Sequence, residues 1–415
     1  MLYRQRLIEE LGAKREDFTE FGRAWAEQAR DYVARLRGLA GQSVAEIKRA
    51  ADEGIAFGVA RTPSALPVAE IEREGSFVVP FARQWRTHEE SRAWAVDQLS
   101  DRVTFAADGS QILPGREISL PVAAVQVAWF ENPHTRDGLG YRKEWDFSLV
   151  TPKELLETES VAATAADLVG LRRVEKELEA VRAFLKRRAG WQERGERVPV
   201  AFFDGTLLLS TSRVRGETLK FPNAYIAAIA ETVKLSRETR VPLVGYIDQS
   251  YARDIARMID VIAKRRMQTP TVFDAQIFSA SDADAAPLFA RWGDRSVFCE
   301  CLREGLTEEF RDEAGEPLVG FLYLQTTAPG SVPARLDIPA WVADEEGLID
   351  DVVDAVRAEC VVGNGYPYAL ETADEAAVIT LRDREQFLRA VQDFAQVNDL
   401  PFRVSRKAVS KMHRR

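Results

Sequence analysis

The stretch "VPVAFFDGTLLLS", residues 198–210, carries an apolar run straight into Asp204, Gly205 and Thr206. Earlier in the chain "FAADGSQIL", residues 105–113, repeats the arrangement with Asp108, Gly109 and Ser110. A run as apolar as "VAFF" reads as a strand buried on both faces. Each carboxylate then falls at a strand end, and in open α/β sheets ligands bind outside those ends. One Asp-Gly unit is explained by a tight turn, since glycine accepts positive φ and aspartate bonds nearby amides. Two such units on neighbouring strands demand more, because adjacent carboxylates repel unless a proton or a cation lies between them. Hard divalent cations such as Mn²⁺ and Mg²⁺ take oxygen ligands, and a pair of them can stabilise the attacking and leaving oxygens at phosphorus. Glycine after each aspartate leaves room for a metal or a phosphate backbone to approach.

Outward from these units, "RVTFAADGSQI", "SLPVAAVQVAWFENP" and "YRKEWDFSLVTP" read as three consecutive strands separated by turns such as "NPHTRDGLG". His134, in the last of these turns, reads as a surface turn residue. The period then changes: Leu168, Leu171, Val174, Leu178, Val181 and Leu185 form one stripe of a long amphipathic helix within 152–190. After the strand ending at Asp204 come a helix through "NAYIAAIAETVKLSRET", the strand "VPLVGYID" and a helix in "SYARDIARMIDVIAKRR". Alternation of this kind predicts partly parallel strands with helices packed across them. Asp248 ends the second of those strands, and a cap on the helix starting near Ser250 explains it as well as a place in the cleft. Strands in "RSVFCECL", "VGFLYLQTT" and "ARLDIPAW" follow, then helix. At the N-terminus Phe18, Phe21, Trp25, Ala29, Tyr32 and Leu36 recur at helical spacing. The organisation expected is a helical N-terminal arm at 1–95, a mixed α/β domain at 96–400 and a basic tail at 401–415, "RVSRKAVSKMHRR" being nearly free of acid.

The 415 residues carry 46% hydrophobic and 29% charged side chains, the composition of a soluble globular protein. A net charge of −9 argues against a uniformly basic nucleic-acid binder and leaves room for a local basic surface. Cys299, Cys301 and Cys360 make neither a disulfide framework nor a zinc set, and the first two would share one face of a strand. A charged start, "MLYRQRLIEELGAKRED", is unlike a signal peptide. The longest nearly apolar run, 118–130, is too short for a membrane helix, so a cytoplasmic protein is expected.

Phosphoryl chemistry of this type takes further acidic ligands. The amphipathic helix offers Glu175 and Glu177 beside its apolar stripe, with Glu179 turned further into solvent. The late segment "VVGNGYPYALETADEAAVI", residues 361–379, offers a rigid turn with Tyr366 and a helix bearing Asp374. In this order the set resembles the NurA nuclease family: an early Asp-Gly-Ser, a helical glutamate, a second Asp-Gly-Ser/Thr followed by leucines, and a late "GYPYALETAD". The resemblance runs from about residue 100 to 385. It implies a ribonuclease H-like, Piwi-like mixed sheet flanked by helices. It also implies a Mn²⁺-dependent deoxyribonuclease, with Mg²⁺ as the alternative ion, that degrades DNA from 5′ ends and nicks single strands. The implied partners are single- and double-stranded DNA, a second copy of the chain and a HerA-type hexameric ATPase. Carried over by position, Asp108, Glu177, Asp204 and Asp374 would be the metal ligands, and Tyr366 would join them as a catalytic residue. Glu177 is chosen over Glu175 because "RVEKE" resembles the family's pattern of arginine, three residues, glutamate. Family members often have histidine where this chain has Asp374. That departure removes an imidazole and bears on proton transfer more than on metal binding. The alternative it raises is a catalytically decayed DNA-binding adaptor for the same ATPase.

Overall fold

The computed structural model describes residues 3–115, 119–137, 140–159, 164–208, 220–266, 272–280, 286–306, 308–401 and 403. All but two residues of the basic tail at 401–415 lie outside these. By compactness the chain forms two units: residues 1–86, 246–306 and 313–340 in one, and 87–245, 307–312 and 341–415 in the other.

The second unit holds every candidate acid. Its elements are α1 (His88–Leu99), β1 (Thr104–Ile112), β2 (Ala123–Asn132), β3 (Arg142–Val150), α2 (Ala165–Arg188), β4 (Val200–Asp204), α3 (Lys220–Thr239), β5 (Leu243–Ile247, through Gly245), α4 (Leu348–Val362), α5 (Tyr368–Ala377) and α6 (Leu381–Val397). The three strands expected in sequence form an antiparallel meander, β1 with β2 and β2 with β3. The strand ending at Asp204 lies parallel to β1 on its other side. The order is therefore β5-β4-β1-β2-β3, a mixed sheet with β4 parallel to β1 and β2 and β3 antiparallel to their neighbours. α2 and α5 both pack against β1 and β2.

Local chemistry explains the framing. Thr164 caps α2 by accepting from the Asp167 amide, and Asp167 accepts in return from the Thr164 amide at 2.9 Å. Leu168, Leu171, Leu178, Val181 and Leu185 of the expected stripe are buried, and so is Glu177. The helical pattern of 152–190 divides into Pro152–Glu159 and α2 among the described residues. Where β1 begins, Arg102 is buried at 1% exposure and pairs bidentately with Asp351 of α4 at 2.5 and 3.2 Å. It also donates to the Val198 carbonyl at 3.1 Å, locking the starts of β1 and β4 together.

In the other unit the N-terminal region is helical, and residues 1–86 cluster with 246–306 and 313–340. Helices Arg15–Gly38 and Val44–Ala56 pack against Asp254–Ile262, and Tyr32 donates to buried Asp260. Ala29, Tyr32 and Leu36 are core residues there, while Phe18 and Phe21 of the same stripe are exposed. The arm is thus core along the second half of its stripe, because residues 246–306 supply its covering face. An antiparallel ladder joins Ser64–Pro67, Cys299–Leu302, Val319–Leu324 and Ala334–Pro339, with both strand cysteines buried. Helix Asp254–Ile262 begins later than Ser250, and its first amides donate to Asp274 instead of to Asp248. Arg303 and Arg335 hold the buried Asp254 carboxyl well below the usual carboxylate range. Among the described residues no helix is long and apolar enough to cross a membrane.

Candidate active site

The twin Asp-Gly units meet because of register. Parallel pairing matches Phe105 to Ala201, Ala106 to Phe202 and Ala107 to Phe203. One residue further, Asp108 and Asp204 stand at neighbouring strand positions, a strand spacing of about 4.8 Å apart along the ladder direction. After Asp204 the chain turns at Gly205, whose φ of +126° lies where side-chain-bearing residues are rarely found.

Successive residues of a strand face opposite ways, so Asp108 and Gly109 address different helices. Asp108 is half-buried and lies near enough to Asp374 of α5 for that carboxyl to raise its proton affinity. Gly109 faces α2: a Cβ built on it would stand 2.5 Å from Glu177 Oε1 and 2.7 Å from Arg173 Cγ. The glycine is therefore a notch through which the Glu177 carboxylate reaches the strand. Arg173 fixes that approach, its Nη1 donating to the Gly109 carbonyl at 3.0 Å and its Nε lying 3.6 Å from Glu177 Oε1. Replacing Gly109 with alanine is expected to push Glu177 out of the notch and lower turnover about 10²-fold, the scale of a misplacement near 1 Å. Activity within a few-fold of the parent, with Glu177 unmoved in a crystal structure of the variant, would show that the notch has no part in the chemistry.

Of the three helical glutamates, Glu175 pairs with Arg172 at 3.5 Å and Glu179 with Lys176 at 3.0 Å on the outer face. Only Glu177 turns inward, and its Oε1 is buried without a hydrogen-bond partner. Burial pushes its carboxyl up to about 8; Arg173 opposes this, and the charges of Asp108 and Asp204 add to it. Burial likewise pushes Asp108 up to about 6, reinforced by the nearby Asp374 carboxyl and by the charge of Asp204. Asp204 and Asp374 are exposed, so two acids lie at the mouth and two deeper.

Tyr366 donates to Asp204 Oδ1 at 3.2 Å. Its turn is tightly built: a Cβ on Gly363 would meet the Tyr366 carbonyl at 2.1 Å, and Gly365 adopts a φ of +109°. Behind it Glu359 of α4, fully buried, accepts from the Ala369 amide at 2.9 Å and so caps the helix that carries Asp374. His134 stands against this carboxylate, with Nε2 3.6 Å from Glu359 Oε1 and Nδ1 2.7 Å from the Arg102 carbonyl. It is therefore a largely covered bridge, contrary to the surface turn expected. Its φ of +48° is a turn feature, but the ring folds inward.

The five residues singled out by sequence thus gather in one unit. Among the described residues no three His, Cys, Asp or Glu side chains stand in the geometry that holds an ion. The donor set nevertheless suits a hard cation in its chemistry: it offers four carboxylates, Glu177 with an orphaned buried oxygen, and burial and neighbouring acid charge raise the proton affinity of Asp108 and Glu177. Arg173 was visible in sequence only as part of a pattern. The i, i+4 spacing to Glu177 is the signal that marks it as that glutamate's neighbour.

A family model described as the NurA domain matches residues 102–379. The chain belongs to the NurA family. The match spans β1 to the end of α5 and so takes in all five candidate residues. No curated protein matches. Among solved structures, the C-terminal lobe of a budding yeast Argonaute is similar at 9% identity, with a TM-score of 0.24. That similarity covers 68% of this chain and 48% of the lobe, so the chain spans about half of it. As a NurA protein this is a member of a nuclease family, with the strand order described above.

Proposed function

We propose that this NurA protein hydrolyses DNA phosphodiester bonds with Mn²⁺, Mg²⁺ being the alternative ion. The observation that carries this reading is the convergence of Asp108, Glu177, Asp204 and Asp374, from two strands and two helices, on one another's charge. These four would hold the cations. When bound, they supply Lewis-acid charge that lowers the pKa of the attacking water and offsets charge on the departing 3′ oxygen. The chain's own groups prepare the cleft. Tyr366 orients Asp204 by its hydroxyl bond, and Arg173 holds Glu177 against the strand. Burial and the charges of Asp204 and Asp374 let Asp108 keep its proton to a higher pH than an ordinary carboxyl, so cation uptake there would release one. Family membership supports 5′-end degradation and single-strand nicking, action as a homodimer, and work beside a HerA-type hexameric ATPase in DNA end processing. A cytoplasmic site of action fits that role.

The test is direct. A labelled single-stranded oligonucleotide should be cleaved with Mn²⁺ and remain whole in EDTA, and calorimetry should register stoichiometric Mn²⁺ uptake. DNA binding without either uptake or cleavage would make the chain an adaptor of the translocase instead.

A further inference from the structure

Two short stretches outside the acid cluster share a pattern: Phe81-Ala82-Arg83-Gln84-Trp85-Arg86 and Phe289-Ala290-Arg291-Trp292. Both belong to the unit built from residues 1–86, 246–306 and 313–340, and Phe81–Arg86 precedes the region matched by the family model. The fold stacks their aromatic rings into one group. Trp85 and Trp292 have centroids 5.0 Å apart, and Phe81 lies 5.6 and 5.7 Å from them, edge-on to both. Phe81 is buried beneath, whereas both tryptophans are half-buried.

The group is rigidly held. Buried Asp294 accepts from the amides of Phe81 and Arg291, each at 2.9 Å, so one carboxylate ties the two stretches together. Trp292 Nε1 donates to the Thr326 carbonyl at 2.8 Å, which fixes the ring. Gly293, at a φ of +83°, leaves the space that Phe81 fills; a Cβ there would meet Phe81 Cδ1 at 2.7 Å. Around this platform Arg83, Arg86 and Arg291 are exposed, and neither stretch contains an acid. Asp294, the next residue but one after Trp292, is turned inward. A chain with net charge −9 thus gathers three arginines around two partly bared indoles.

We propose that the Trp85–Trp292 platform binds single-stranded DNA, unpaired bases stacking on the indoles and backbone phosphates pairing with the arginines. Every base offers a π-face, so such stacking tolerates any sequence, and guanidinium groups grip phosphate through paired hydrogen bonds. A duplex hides its base faces, which makes the unpaired strand the better occupant. The choice of DNA among polyanions rests on the nuclease reading above; the platform itself rests on geometry alone.

Fluorescence anisotropy of a labelled oligothymidylate, with the full chain in EDTA, tests binding without turnover. Trp85→Ala should weaken binding about tenfold, within the range found for loss of one stacked base, while Trp85→Phe stays within about threefold of the parent. Arg83→Glu with Arg291→Glu should also weaken it and reduce the slope of log affinity against log salt by about 1.4, two phosphates' worth. Mn²⁺-dependent hydrolysis of bis(p-nitrophenyl) phosphate should be unchanged in all three. Parent-like affinity in Trp85→Ala, or tighter binding of duplex DNA, single-stranded RNA or a proline-rich peptide than of oligothymidylate, overturns the proposal. Should Trp85→Ala fail to fold by circular dichroism, the exposed arginine pair decides alone, an unchanged salt slope being the negative result. Oligothymidylate binding in EDTA by a protein that never hydrolyses phosphodiesters would sink the nuclease reading and leave the platform standing.

Discussion

Asp204→Asn should abolish Mn²⁺-dependent DNA cleavage, lowering the rate on the order of 10³-fold, while leaving the melting temperature within about 2 °C of the parent. The large first number follows from what the carboxylate does. A cation ligand replaced by a neutral amide loses charge opposite the developing negative charge at phosphorus, a loss of several kcal/mol at about 1.4 kcal/mol per tenfold. The small second number follows from place. Asp204 is exposed at the end of β4, and the stability of that strand comes from Val200, Ala201, Phe202 and Phe203, all buried. Asparagine keeps an oxygen to accept from the Tyr366 hydroxyl, so the turn behind it should hold. Its neutral side chain also removes a like charge from Asp108 and Glu177. Single-turnover cleavage of a labelled strand and a thermal melt, on the same preparation, check both halves. Activity above about a tenth of the parent's would remove Asp204 from the chemistry.

What the sequence made legible follows from period and position. An apolar run ending in Asp-Gly announces a buried strand with an acid at its lip, and two of them announce a pair of neighbouring lips. The three-strand meander and the amphipathic helix came from periods of two and 3.6 residues. The choice of Glu177 over Glu175 had no support from periodicity, because both flank the stripe. It depends on Gly109, a hundred ångströms of chain contour or more away, having no Cβ at the place where Glu177 arrives. The Glu359–His134 contact was hidden for the same reason. Nothing local tells that His134 folds its imidazole onto a carboxylate from α4. In the N-terminal helices a half-covered stripe reads in sequence like a fully covered one. Phe18 and Phe21 have the same spacing as Tyr32 and Leu36 but not the same neighbours.

Glu177→Gln should make the metal-free protein more stable and inactive at once. In the folded chain Asp108 and Glu177 keep their protons up to about 6 and about 8, against ordinary values of 3.8 and 4.5. Across that window the unfolded chain has released protons that the folded chain retains. The folded state binds more protons, so stability falls as pH rises from about 4 to about 8 and levels off above it. The cause is burial of a carboxyl whose ionised form has Arg173 as its nearby cation and two acids as neighbours. A neutral amide has no proton to lose, and the pH-dependent penalty disappears with it. In EDTA the variant should melt about 3 °C higher than the parent at pH 8 and show no advantage near pH 4. Cation binding reverses the ranking by mass action, since only the parent keeps the full set of ionisable oxygens. Mn²⁺ should therefore raise the parent's melting temperature at pH 8 and move the variant's much less. Thermal melts at the two pH values, with and without Mn²⁺, separate the terms. A variant less stable than the parent at pH 8 in EDTA would mean that Glu177 is held by contacts favouring its charge, and that its buried position has a structural cause instead of a catalytic one.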